Sequence, residues 1–93
     1  MTISTSDLGE KFRRGDMGGQ SSNTQIVDGK GFTYLVDYGW AVLAKRNKRT
    51  GRITAYPDWW GYSPSTSKHI SQLHLNAVKW RGEGRKRLSD LMR

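Results

Sequence analysis

The chain contains no cysteine. Disulfides and thiolate zinc sites are therefore excluded, and a reducing compartment is compatible with the sequence. Only 34% of the residues are hydrophobic, and no apolar run approaches the roughly 20 residues that span a bilayer. The first residues, MTISTSDLGEKF, lack the basic and apolar regions of a signal peptide. No Ser/His/Asp set, carboxylate pair or phosphate-cradling glycine motif stands out, and Asp37 and Asp58 are isolated in the sequence. His69 and His74 are five apart, so on a helix they diverge instead of facing one metal. Nothing asks for catalysis, and the chain is read as a non-enzyme without cofactor or metal. Acidic residues are also missing from one long stretch: none lies between Asp37 and Asp58.

What is present is positive charge and aromatic surface. The 93 residues make one domain with a small core. Four Trp, four Tyr and two Phe offset the low hydrophobic share, because each aromatic buries a large area. The formal net charge is +8 and is unevenly placed. Residues 1–44 hold four Lys/Arg against five Asp/Glu, a net of −1, and residues 45–93 hold twelve against three, a net of +9. A basic half on a small domain is the electrostatic footprint of a polyanion binder.

The patterning predicts an α+β domain. It has a three- or four-stranded antiparallel sheet packed by one C-terminal amphipathic helix, with flexible ends. Residues 1–23 read as a short helix followed by a flexible Gly/Ser loop. Asp7 or Ser6 is the candidate cap, with Glu10 in a capping-box position, and Leu8 and Phe12 are spaced to pack on the sheet. Residues 24–80 are the sheet-plus-helix domain. Strands are expected at 24–28, 32–38, 40–45 and 52–56, with Asp28-Gly29 turning the first hairpin and Gly39 marking a bulge or bend. The run from Trp40 to Lys45 is apolar enough to be the central strand. Ser63 then caps a helix with Pro64 in its first turn, and Ile70, Leu73, Ala77 and Val78 form its apolar stripe. Residues 81–93 are read as a mobile basic tail.

Three features bear on binding. Lys45, Arg46, Lys48, Arg49 and Arg52 put five positive charges into eight residues at a hairpin tip, able to enter a groove or lie along phosphates. The competing reading is a solvated turn. The helix start adds Lys68, with hydroxyls and free amides suited to an anion, although ordinary capping accounts for Ser63 and Thr66. Arg85, Lys86 and Arg87 add a non-specific clamp in the tail. Trp59, Trp60 and Tyr62 form an aromatic corner. It is either buried against the sheet, with one of the two tryptophans inward, or exposed as a hot spot for an acidic partner. A strand pair with a basic turn before a helix also resembles three-stranded-sheet DNA readers, such as integrase arm-binding domains and the plant AP2-type domain. Gly39-Trp40-Ala41, Lys48 to Arg52 and the helix after Ser63 carry that likeness.

A second resemblance covers residues 24–78. Leu35-Val36-Asp37-Tyr38-Gly39, then Ala41 to Ala44, then Trp60 and Tyr62-Ser63-Pro64-Ser65-Thr66-Ser67-Lys68-His69-Ile70 resemble a group of small tailed-bacteriophage proteins. In that group a strand of the type L-V-x-Y-x-x-x-V-A leads to Y-S-x-T-T-S-x-H-I at a helix start, and Ser65 departs from its usual Thr. The resemblance implies a viral origin and a host-cytoplasm setting, and transfers no activity or binding residue. The leading expectation is thus a basic phage protein that binds nucleic acid, DNA ahead of RNA, through the basic hairpin and the helix N-terminus. The alternatives are a protein that binds and inhibits an acidic host factor, in host takeover or anti-defence, and a virion assembly component. No membrane contact is expected.

Overall fold

A computed structural model describes residues 3–16, 18–21, 23–59, 70–73, 75, 78, 80–82 and 84–91. Helix α1, Thr5–Arg14, opens the fold. Its N-cap is Ser4, one turn before Asp7, whose backbone N–H donates to the Ser4 hydroxyl at 3.1 Å. The cap expected at Asp7 or Ser6 therefore sits earlier, and Asp7 occupies the first turn, where a carboxylate meets the positive end of the helix. The C-terminus closes at Gly15, whose φ of 82° belongs to the left-handed region. The N–H groups of Gly15 and Asp16 return to the carbonyls of Phe12 and Lys11, a Schellman closure. Leu8 and Phe12 are fully buried, as their spacing predicts. Gly9 lets the helix approach the segment around Leu73, since a Cβ there would stand 3.0 Å from the Leu73 carbonyl oxygen.

Six strands follow: β1 Gln20–Ser21, β2 Thr24–Asp28, β3 Phe32–Asp37, β4 Ala41–Asn47, β5 Ile53–Ala55 and β6 Trp80–Arg81. They lie in sequence order in one sheet. All neighbours are antiparallel except β5 and β6, which are parallel. The expectation of three or four strands is corrected to six. The four predicted strands form the centre, and two short strands were added at the edges. A two-residue strand has no alternation to read, so only pairing reveals it. Residues Thr33–Asp37 and Ala41–Ala44 are buried without interruption, so β3 and β4 are covered on both faces. Their connection is a tight turn with positive φ at Tyr38 (57°) and Gly39 (79°). Trp40 N–H bonds back to the Asp37 carbonyl at 3.2 Å, so the three residues Tyr38–Trp40 join Asp37 to its partner Ala41 with two of them in the left-handed region. The irregularity in register lies opposite Leu35 and Val36, where Leu43 is the extra residue on β4.

The C-terminal helix is also corrected. The only helix of several turns among the described residues is α1, at the N-terminus. Residues 70–72 are helical, but Leu73 is a turn and Val78 is outside any helix. The proposed start at Ser63 to His69 lies outside the described residues, as does Ala77. Two bonds accompany this change of path: the Leu73 carbonyl accepts from Arg13 Nη1 at 2.6 Å, and Val78 N–H donates three residues back, to the Leu75 carbonyl, at 3.1 Å. Ile70, Leu73 and Leu75 are all buried, so this segment fills the core through an irregular path.

The tail expected to be mobile is docked. A short helix α2, Leu88–Leu91, is preceded by an antiparallel bridge between Ala41 and Arg87. Val42 N–H donates to the Lys86 carbonyl at 3.1 Å and Leu88 N–H to the Trp40 carbonyl at 2.8 Å. Tyr34 Oη donates to the Leu91 carbonyl at 3.2 Å. Residues 86–88 thus pair with β4 where β5 has left it. At the other end, the loop expected to be flexible contains β1, with Thr5 Oγ1 and Ser21 Oγ 2.7 Å apart. Among the described residues no helix is long and apolar enough to cross a membrane.

Candidate nucleic-acid interface

Paired residues on neighbouring strands share a face of the sheet. Arg46 pairs with Thr33 and Ile53, and its Nε donates to the Arg13 carbonyl of α1 at 3.3 Å, so this face carries α1. On the opposite face, one row crosses five strands: Val27, Tyr34, Lys45, Thr54 and Trp80 are successive partners. At about 4.8 Å per strand, Tyr34 and Trp80 lie about 14 Å apart. Phe32 and Asn47 form the next row of this face. Arg52 extends it, since Asn47 N–H bonds to the Arg52 carbonyl at 2.8 Å.

Two cations of this face sit over aromatic rings. Lys45 Nζ is 4.5 Å from the Phe32 ring centroid, and Arg52 Cζ is 4.1 Å from that of Trp80. Trp80 is 50% exposed, the most open large apolar side chain on the described surface. A cation resting on a ring keeps its full charge for a phosphate, whereas one bound to a carboxylate is neutralised. The turn beyond is braced by Asn47 Oδ1, which accepts from the N–H groups of Arg49 (2.9 Å) and Thr50 (3.1 Å). Arg49 is exposed at its tip.

The five hairpin cations therefore divide. Lys45, Arg49 and Arg52 belong to the open face and its rim. Arg46 turns to the other face and closes the α1 C-terminus. Lys48 is ion-paired to Asp28. Strand alternation already carried part of this division, because consecutive Lys45 and Arg46 must point to opposite faces.

The tail cations form a separate cluster at the far end of β4, about 20 Å along the strand. Arg85 lies 5.3 Å from the Trp59 ring and donates from Nε to the Asp58 carbonyl at 2.9 Å. Arg87 lies 5.5 Å from the Trp40 ring. The two rings meet edge to face at 5.1 Å. The Lys86 carbonyl accepts from Trp59 Nε1 at 3.0 Å. Trp59 is 4% exposed, so it is a core residue and not part of an exposed hot spot. Trp60, Tyr62 and Lys68 lie outside the described residues. Burial raises the pKa of Tyr34, with neighbouring Tyr56 adding to the effect. Burial also raises that of Tyr56, offset in part by Lys86.

The aromatic members of the open face, Phe32 and Trp80, were absent from the sequence-based site. Phe32 was legible as an alternating residue of β3. Trp80 reaches the face only through a parallel pairing across a long connection. The six-stranded sheet also departs from the three-stranded DNA readers that the hairpin resembled. No protein-family model, curated protein or solved structure matches the chain.

Proposed function

We propose that the chain is a nucleic-acid-binding module that uses the open face of its sheet, with Lys45, Arg49 and Arg52 contacting the sugar–phosphate backbone. The observation that carries this reading is the pairing of Lys45 with Phe32 and of Arg52 with Trp80 on one face. There, positive charge is held in place with no acidic partner among the described residues. The +9 balance of residues 45–93 adds a long-range attraction for a polyanion. Arg85 and Arg87 form a second basic patch that extends the same field. The resemblance to tailed-phage proteins implies a setting in the cytoplasm of an infected host. The reading as an inhibitor of an acidic host protein rested on an exposed Trp59, Trp60 and Tyr62. Burial of Trp59 removes one of those three anchors.

The test is binding of the purified chain to labelled nucleic acid across a salt series. Affinity should fall steeply, because each neutralised phosphate releases counterions. Replacing Lys45, Arg49 and Arg52 together by Gln should reduce the slope of log K against log salt by about 2 on a single strand and about 3 on a duplex. A slope that does not change would remove these three residues from the interface.

A further inference from the structure

We infer that the nucleic acid bound on this face is a single strand, whose unpaired bases stack on the Phe32–Lys45 and Trp80–Arg52 layers. This rests on the nucleic-acid reading above and specifies its ligand.

Three observations carry it. The first is shape. A ribbon that reads a duplex must project into a groove, and this hairpin does not project. Lys48 N–H bonds to the Gly31 carbonyl at 3.0 Å, and the Lys48 ammonium is paired with Asp28. The β4–β5 turn is thus tied sideways to the β2–β3 turn, and the sheet ends in a broad edge two hairpins wide. The second is the surface itself. Phe32 is partly open in its row with Asn47, and Trp80 is half-exposed in the neighbouring row, where Lys45 and Thr54 are also partly open while Tyr34 is buried against the Leu91 carbonyl. Exposed aromatic rings separated by polar side chains on a sheet face give two or three bases a platform, and a duplex presents no free base faces to it. The third is the cation geometry. The Arg52 guanidinium at 4.1 Å is close enough to lie on the Trp80 ring, which leaves its outer plane available to a base while its charge meets the neighbouring phosphate.

The experiment compares oligothymidylate, oligouridylate and a duplex of oligothymidylate with oligoadenylate at one salt concentration, using the full chain and two variants. Wild type should bind the single strands more tightly than the duplex, with quenching of tryptophan fluorescence. Trp80→Ala should weaken single-strand binding between about five- and about a hundred-fold, the range set by loss of one stacked base, and leave duplex binding nearly unchanged. Arg52→Lys keeps the charge and removes the plane. It should preserve the salt slope while weakening single-strand binding, and it provides a second reading should Trp80→Ala disturb the edge strand. Duplex binding as tight as single-strand binding would overturn the inference. So would wild-type single-strand affinity in a folded Trp80→Ala protein or in Arg52→Lys. In those cases a retained salt slope would leave the nucleic-acid reading standing. Absence of binding to all three probes would overturn both.

Discussion

Arg46 Nε donates to the Arg13 carbonyl oxygen at 3.3 Å, tying the last turn of α1 to the central strand of the sheet. Arg13 in turn donates from Nη1 to the Leu73 carbonyl at 2.6 Å, so one line of bonds runs from β4 through α1 to the segment beside it. The guanidinium of Arg46 also lies against Gly15, where a Cβ would stand 2.7 Å from Nη1. A cation at this end of a helix opposes the macrodipole. Arg46→Gln should therefore cost about 1–2 kcal/mol in urea unfolding and leave the salt slope of nucleic-acid binding unchanged. Arg49→Gln should do the reverse, with stability within about 0.5 kcal/mol of wild type and a shallower slope. Equal effects of the two substitutions on the slope would place Arg46 on phosphate after all.

Thr24 and Asp37 face each other across β2 and β3, with Thr24 Oγ1 donating to Asp37 Oδ1 at 3.0 Å. Both are fully buried. A buried carboxylate depends on its donors, and removing one costs more than an ordinary exposed bond. Thr24→Val keeps the shape and removes the hydroxyl. We expect a loss of about 1–3 kcal/mol, read as a shift in denaturation midpoint with the m-value unchanged. Thr33 supplies the contrast. Its Oγ1 is buried and has no hydrogen-bond partner among the described residues, so Thr33→Val should be neutral or stabilising by the same measurement.

Deleting residues 85–93 tests whether the tail is structural. The deletion removes the Lys86 carbonyl from Val42 and from Trp59, Leu88 N–H from Trp40 and the Leu91 carbonyl from Tyr34. It also strips Leu88 and Leu91 from the core margin. At about 1 kcal/mol per bond plus the lost burial, the cost should reach about 4 kcal/mol or more, a large part of a small domain's stability. Thermal unfolding followed by circular dichroism should show a strongly lowered midpoint. An unchanged midpoint would return the tail to the status of a free arm.

Tyr34 and Tyr56 supply the pH dependence. Their pKa values are raised in the folded protein, in each case chiefly by burial. The folded state therefore holds these protons more tightly than the unfolded state, where tyrosine ionises near pH 10. The resulting stabilisation is complete below about pH 10 and is lost as the pH climbs through the folded values. Stability should therefore show no pH dependence from these groups between neutral pH and about pH 9, then decline as they ionise in the unfolded state. Tyr56→Phe should lessen the decline. Absorbance titration should find these two phenols ionising late, together with unfolding. Early ionisation of both without loss of structure would contradict this account.

Local chemistry in the chain determined a good deal. Alternation and turn residues placed β2 to β5, because each is a short-range pattern that needs no knowledge of the rest of the molecule. The spacing of Leu8 and Phe12 made α1 amphipathic, and the count of charged residues put the positive field in the second half. Tertiary structure decided what depends on pairing across long connections. It set β6 beside β5 and brought Trp80 to the open face. It bonded the Leu73 carbonyl to Arg13 and placed a turn at Leu73, inside the expected C-terminal helix. It used the Lys86 backbone to satisfy Trp59 and docked a tail that reads as mobile. The site followed the same rule. Which residues are basic is written in the sequence, but whether a given cation caps a helix, neutralises an aspartate or rests on an open ring depends on what stands opposite it. For Arg46, Lys48 and Arg52 that partner comes from elsewhere in the chain, across a separation that no local pattern spans.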